Sequence, residues 1–399
     1  MLTGQNGILT QAQNASAQTE IAEAKEKAQM DILAWQSERL QNGQDATLND
    51  ETVKTILTGK DYVKGTPRAT SFVSTTGHTI PYADLYDRVT TIAEEKAAGT
   101  VFSKNTTLQD DYGNIVKVPE GFKIENNSPT KVTEGIVIED VNNGATAGSQ
   151  FVWIPVGTVY TNEEHTNPET IKLSRYTFDD LGNETEVGAE PIDSGYGYSY
   201  EELSSSTYGN AVAKSITTFL ATATNSHGYY IGRYEARTTE ERSNSTNDDG
   251  LTQITVKPND YVYNNVTQMQ AAKLSQEMYA GKSFTSDLVN SYAWDTAIVF
   301  IQKFEDDDYS KQTSLNQLPA QDLAKQGTNN TSTQDEVCKI WDMASNCGEW
   351  TTETCSKSDF PCVYRGGLYN NSIICTSVRE LYRPTRAYVF DAFRPLLYL

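Results

Sequence analysis

Trp341-Asp342-Met343-Ala344-Ser345-Asn346-Cys347-Gly348-Glu349-Trp350-Thr351, then Tyr364-Arg365-Gly366-Gly367, then Ala392-Phe393-Arg394-Pro395-Leu396-Leu397-Tyr398-Leu399: the reading of these three runs decides the fold. Glu349-Trp350-Thr351 alternates polar and aromatic residues, as a half-buried strand does. Gly366-Gly367 removes side chains where two backbones approach closely or a turn needs positive φ. The last run is an apolar strand expected to pair into a sheet. Between Leu368 and Asp391 neither a period of 2 nor one of 3.6 can be followed, and Arg379, Arg383 and Arg386 interrupt any apolar face. That predicts a long structured loop region, and such regions tend to bind ligands.

The three runs resemble the C-terminal half of the formylglycine-generating-enzyme (sulfatase-modifying-factor) family, where a DM-x-GN-x-x-EWT strand leads to RGG and ends in GFR. Ser345 stands where that family has Gly, and Ala392 precedes Phe393-Arg394. Gly228-Tyr229-Tyr230-Ile231-Gly232-Arg233-Tyr234-Glu235-Ala236 resembles the family's F-x-I-x-K-Y-E-V-T strand, and Leu288 to Asp295 stands where its second helix does. The resemblance covers roughly residues 112–399, with insertions. It implies a C-type-lectin-like α+β domain, with Trp350, Arg365, Gly366, Gly367 and Arg394 as scaffold.

The same fold carries the variable proteins of diversity-generating retroelements, and the choice between the two readings turns on chemistry. The oxidising family uses two cysteines five apart just after the Gly-Gly. Asn371 and Thr376 occupy those positions, and Cys375 is off by one and alone. An amide or an alcohol cannot replace a thiolate nucleophile or copper ligand. The iron-dependent relatives use a His-rich site, and His78, His165 and His227 are scattered. No catalysis is expected.

In the retroelement family a reverse transcriptase randomises template adenines, mainly in AAY codons, which cannot yield Lys, Glu, Gln, Met or Trp. From Leu368 to Asp391 none of these occurs except Glu380. The resemblance therefore implies a variable ligand-binding face at 368–391: Leu368, Tyr369, Asn370, Asn371, Ile373, Ile374, Cys375, Val378, Leu381, Tyr382, Arg386, Tyr388, Val389, Phe390 and Asp391. Exposed together, aromatic and apolar side chains make a hot-spot surface. The bland alternative, that residues such as Phe390 and Leu381 are simply core, is expected to hold for some of them.

The rest of the chain sets the context. A net charge of −21 makes nucleic acid and anionic membranes poor partners. Twenty-three tyrosines against 32 Lys+Arg are the palette of extracellular binding surfaces. No run is apolar enough to span a membrane. The five cysteines, all between 338 and 375, read either as one or two disulfides in an exported domain or as reduced buried thiols. No catalytic cofactor is expected. A structural calcium ion would bind, if anywhere, at Asp306-Asp307-Asp308 in the acidic loop 305–335, although the spacing matches no established loop.

At the other end, Ala17, Ile21, Ala24, Ala28, Ile32 and Trp35 recur at spacings of three and four, predicting a helix over 8–41 that stops at Asn42-Gly43. Leu2-Thr3-Gly4-Gln5-Asn6-Gly7, with Thr19 to Lys27, resembles the segment after the membrane helix of type IV pilin-like proteins from Gram-positive bacteria. An ordinary amphipathic surface helix fits the periodicity equally. The expected organisation is a pilin-like helix over 1–43 with its membrane segment missing, a connector or pilin head over 44–111, and the lectin-like domain over 112–399. The pilin resemblance implies display at the cell surface or on a pilus, with assembly through the helix and an unknown protein or cell-surface ligand as partner. Helices are also expected at 51–57, 82–93, 211–223, 267–279 and 286–304, and an insertion at 161–210.

Overall fold

The computed structural model describes residues 3–41, 46, 48–86, 89–245, 247–313, 336–368, 371 and 373–399. The protein is α+β and forms two compact units, Met1–Thr90 and Thr91–Leu399. Its helices are α1 (Thr3–Gln41), α2 (Asp50–Leu57), α3 (Ile92–Ala98), α4 (Ile216–Asn225), α5 (Gln268–Glu277) and α6 (Ser291–Phe304). None of the described helices is long and apolar enough to cross a membrane.

In the first unit one stripe of α1, namely Ala24, Ala28 and Ile32, is buried against Val53, Leu57, Phe72 and Ile80. These are four-residue steps, so the three side chains stack on one helix face. The stretch Asn42-Gly43 lies outside the described residues. Asn49 caps α2 by accepting from Thr52 N at 2.8 Å, which is why the helix starts at Asp50. Charged side chains flank the apolar seam: Lys25 pairs with Asp84 at 2.7 Å and Lys60 with Asp31 at 2.8 Å.

The helix expected over 82–93 breaks in two. A single 3-10 turn covers Tyr82–Asp84. The true helix α3 starts at Ile92, because Thr91 and Glu94 form a reciprocal capping box there. Residues 91–111, grouped with the connector on sequence, fall in the second unit, where Thr106–Gln109 pairs with Ile115–Val118.

Two sheets build the second unit. Its principal strands are β1 (Phe122–Ile124), β2 (Val137–Asp140), β3 (Gln150–Pro155), β4 (Ile192–Asp193), β5 (Ser199–Glu201), β6 (Gly228–Gly232), β7 (Thr285–Leu288), β8 (Gly348–Cys355), β9 (Cys362–Arg365), β10 (Glu380–Tyr382), β11 (Asp391–Phe393) and β12 (Pro395–Tyr398). The first sheet is antiparallel in the order β7-β12-β6-β3-β2-β1. Gly228, at the start of β6, is required. A Cβ there would lie 2.5 Å from the Ile154 carbonyl oxygen and 2.4 Å from the Trp153 ring. The second sheet runs β4-β5-β8-β9-β10, with β11 joining β8 in parallel. The chain passes from the second sheet to the first between β11 and β12, and Arg394 stands at the crossing.

Three further expectations need correction. Residues 286–288 are not helical. The strand β7 pairs Thr285–Leu288 with the last strand, and α6 begins only after Asn290, whose side chain accepts from Ala293 N at 2.9 Å. In the same way Ser215 caps α4, so residues 211–215 stay outside that helix. The run Glu349-Trp350-Thr351 is not half-buried. All eight residues of β8 are buried, because the strand pairs on both edges and α5 and α6 pack against it.

Candidate binding face

The scaffold glycines do what their lack of a side chain permits. Gly366 has φ +89°, and a Cβ on Gly367 would stand 1.9 Å from the Ala344 carbonyl oxygen. Trp350 is buried and donates from Nε1 to the Val266 carbonyl at 2.9 Å.

Opposite β9, β8 bulges. Trp350 pairs with Tyr364 and Thr354 with Cys362, so two extra residues are accommodated on β8. Bulges re-aim side chains, and Glu353 lies within this one. Its carboxylate meets three guanidiniums: Arg175 at 3.0 Å, Arg365 at 3.3 Å and Arg379 at 2.9 Å. Asp295, on α6, completes the network by pairing with Arg365 and Arg379 at 2.6 Å each. All five side chains are buried. Burial alone would push the Glu353 carboxyl up. Arg379, Arg365 and Arg175 outweigh it and hold it at about 2.

This network pins the segment 368–391 from beneath. Arg365 donates from Nε to the Val378 carbonyl at 2.6 Å and from a terminal nitrogen to that of Ser377 at 3.2 Å. Trp294 Nε1 donates to the Thr376 carbonyl at 3.0 Å, and Thr376 N donates to Gln312 O at 3.0 Å. Arg379, which sequence reading treats as an interruption of an apolar face, is one of the anchors.

Further along, Arg386 grips Asp391 through Nε at 2.9 Å and lies 3.5 Å from the Tyr382 ring centroid, 4.8 Å from that of Tyr388 and 5.2 Å from that of Phe390. The Val389 carbonyl accepts from Asn264 Nδ2 at 2.7 Å, and that of Tyr388 from Asn265 N at 3.0 Å. The backbone is therefore fixed while the side chains of Tyr388 and Val389 face solvent.

A second buried cluster closes the base of the site. Arg394 holds Glu349 through two bonds, at 3.0 and 2.5 Å, and the carbonyls of Gly232 and Trp341 at 2.8 and 2.7 Å. This stitches the two sheets together. Beside it Glu235 accepts from Asn346 Nδ2 and from Cys347 N, and Arg237 faces both Glu235 and Asp342. Burial and the Asp342 carboxylate push Glu235 well up, against the pull of Arg237.

The expected ligand-facing set is narrowed. Leu368 (5% exposed) and Asp391 (0%) are buried and belong to the frame. Ile374, Tyr382 and Phe390 are half-buried against the main core, and Leu381 packs against the cluster of Ile192, Tyr200 and Val363. Asn371, Cys375, Val378 and Arg386 are half-buried. Ile373 (86%), Tyr388 (55%) and Val389 (39%) project into solvent. Tyr369 and Asn370 lie outside the described residues.

All five cysteines are free thiols, and four are buried. Burial pushes Cys362 up to about 12 and Cys338 and Cys347 well up, which suppresses the thiolate an oxidase needs. Of the two positions where the oxidising family has cysteine, Thr376 is fully buried. Among the described residues the group able to gather round a cation is Asp306, Asp307 and Asp308, and Asp308 is already paired with Lys311 at 2.9 Å. Sequence reading missed Asp295 and Glu353 as the partners of Arg365, Arg175 as a further cation on Glu353, and the pairing of Glu235 with Arg237.

No protein-family model matches the chain, and no curated protein matches it. Among solved structures, PvdO from Pseudomonas aeruginosa is similar over 63% of this chain and 94% of its own, at 12% identity and TM-score 0.34. Treponema denticola variable protein 1 is similar over 64% of this chain and 98% of its own, at 10% identity and TM-score 0.30. The Major Tropism Determinant P3c variant is similar over 82% and 91%, at 12% identity and TM-score 0.29. At such scores the likeness carries no functional argument.

Proposed function

We propose that this chain is a non-catalytic, ligand-binding protein whose lectin-like unit presents a retroelement-diversified face at 368–391. One observation carries the reading. Within a single segment almost free of the residue types that AAY-derived codons cannot encode, a buried charge network fixes the backbone while Ile373, Tyr388 and Val389 are left exposed. A segment held this way changes its surface without changing its path. Exposed aliphatic and aromatic groups of this kind anchor protein partners. The oxidase alternative lacks the cysteine pair, since Asn371 and Thr376 stand at its two positions.

The pilin-like helix would place the protein outside the cell, on the surface or a pilus, with a protein or cell-surface ligand as its partner. That part of the reading rests on the resemblance of residues 2–27.

Sequencing the encoding locus from several isolates tests the function. Differences concentrated at adenine-derived positions within codons 368–391, beside a near-identical template repeat and a reverse-transcriptase gene, are the expected result. An invariant segment with no template overturns it in favour of a fixed-ligand adhesin or a structural minor pilin.

A further inference from the structure

Tyr196-Gly197-Tyr198-Ser199-Tyr200 alternates tyrosine with small residues; Tyr196 stands in the turn before β5, where Gly197 has φ +82°, Tyr198 leads into the strand and Tyr200 lies within it. The rings form a ladder from solvent to core. Tyr196 is 83% exposed, Tyr198 half-buried and Tyr200 only 9% exposed. The Tyr196 and Tyr198 rings are 6.3 Å apart and 22° from parallel, and Tyr200 meets Tyr198 edge-on at 6.0 Å.

The hairpin carrying them is held in place. Ser194 donates from N and Oγ to the Tyr198 carbonyl at 3.0 and 2.7 Å, and Gly195 N donates to Asp193 Oδ1 at 2.9 Å. Ser199 N donates to Ser356 Oγ at 2.8 Å, and Ser356 N donates back to the Ser199 carbonyl at 2.9 Å.

Beside this ladder is a cavity of about 390 Å³, which Lys357, Phe360, Glu380 and Leu381 help to line, and a second hollow of about 300 Å³ shares the Tyr198 ring. The Lys357 ammonium lies 5.4 Å from the Tyr198 centroid and 4.9 Å from that of Phe360. The Arg383 guanidinium lies 5.3 Å from the same Phe360 centroid. Among the described residues neither cation has an ion-pair partner, in a protein of net charge −21. Arg379, at the cavity floor, is neutralised by Asp295 and Glu353. Glu380 is the one acid lining the cavity; burial pushes its carboxyl up and Arg386 pulls it down.

We propose that this pocket binds an acidic saccharide, with Tyr196 and Tyr198 as the stacking platform for a sugar ring and Lys357 and Arg383 as the partners of its carboxylate. A peptide anchor calls for an apolar pocket, and Leu381 is the only aliphatic side chain in the lining. An exposed, rigid tyrosine face ringed by charged and hydroxyl groups suits instead a ligand with a C–H face and polar edges. Arg379, Glu380, Leu381 and Arg383 come from 368–391 and the rest of the site lies outside it, so the tyrosine platform and Lys357 stay the same however that segment varies.

The test titrates the full chain with glucuronic acid and N-acetylneuraminic acid, with glucose as the neutral control, followed by calorimetry and ligand-observed NMR. Saturable binding of an acidic sugar, weakened about tenfold by Tyr196→Ala and by Lys357→Ala at unchanged circular dichroism, is expected. Three results would overturn the proposal: no saturation by either acidic sugar, equal binding of glucose, or Tyr196-dependent binding of a glutamate-rich peptide in place of the sugars. The sequences of the locus decide diversification separately, so failure of one reading leaves the other standing.

Discussion

Ile373 and Arg379 stand six positions apart in one irregular segment and live in opposite worlds. Ile373 is 86% exposed, whereas the Arg379 side chain is 8% exposed and joins Asp295 to Glu353. The contrast teaches how a loop without regular hydrogen bonding keeps one shape. Within it Arg379, Arg386 and Asp391 turn inward and are paired, while Ile373, Tyr388 and Val389 turn outward, the reverse of the ordinary distribution. Buried pairs add little net stability compared with a well-packed apolar core, yet removing one partner leaves uncompensated charge behind. Such a network specifies a backbone path more than it strengthens the fold.

The sharpest way to break this contrast is Glu353→Ala. Three buried guanidiniums lose their shared acceptor, and the expected cost is about 3–5 kcal/mol by chemical denaturation. Next is Gly367→Ala, whose Cβ would strike the Ala344 carbonyl; backbone must move, for roughly 3 kcal/mol. Acidification gives a graded version of the first test. The folded pKa of Glu353, about 2, lies below the ordinary value of 4.5. A carboxyl depressed on folding stabilises above its unfolded pKa and loses that contribution as pH falls through the folded one. Stability is therefore expected to drop between pH 4.5 and 2, and less so in Glu353→Gln. At the small end, Ile373→Ser and Val389→Ser should each change stability by no more than about 0.5 kcal/mol. A loss of 2 kcal/mol at Ile373 would place it in the frame.

Sequence alone made part of this legible. The Gly366-Gly367 pair, the apolar final strand and Thr267 as the start of α5 are local signals, and each has a local cause in the structure. The acids that neutralise the arginines were not legible. Asp295 lies 70 positions before Arg365, in a mostly apolar helix, and nothing near it in sequence names its partner. Glu353 belongs to a strand whose bulge no period of 2 announces. Leu368 and Asp391 belong to the ligand-facing set that the resemblance implies. Long-range pairing buries them, and that pairing has no local signature.

The most direct measurement is a saturation library over codons 368–391, sorted for folded protein by protease resistance without reference to any ligand. The expected outcome is a split within the one segment. Ile373, Tyr388 and Val389 should accept nearly every residue type, while Thr376, Arg379, Arg386 and Asp391 should accept almost none. Uniform tolerance, or intolerance at Ile373 matching that at Arg379, would contradict a variable face carried on a fixed charge frame.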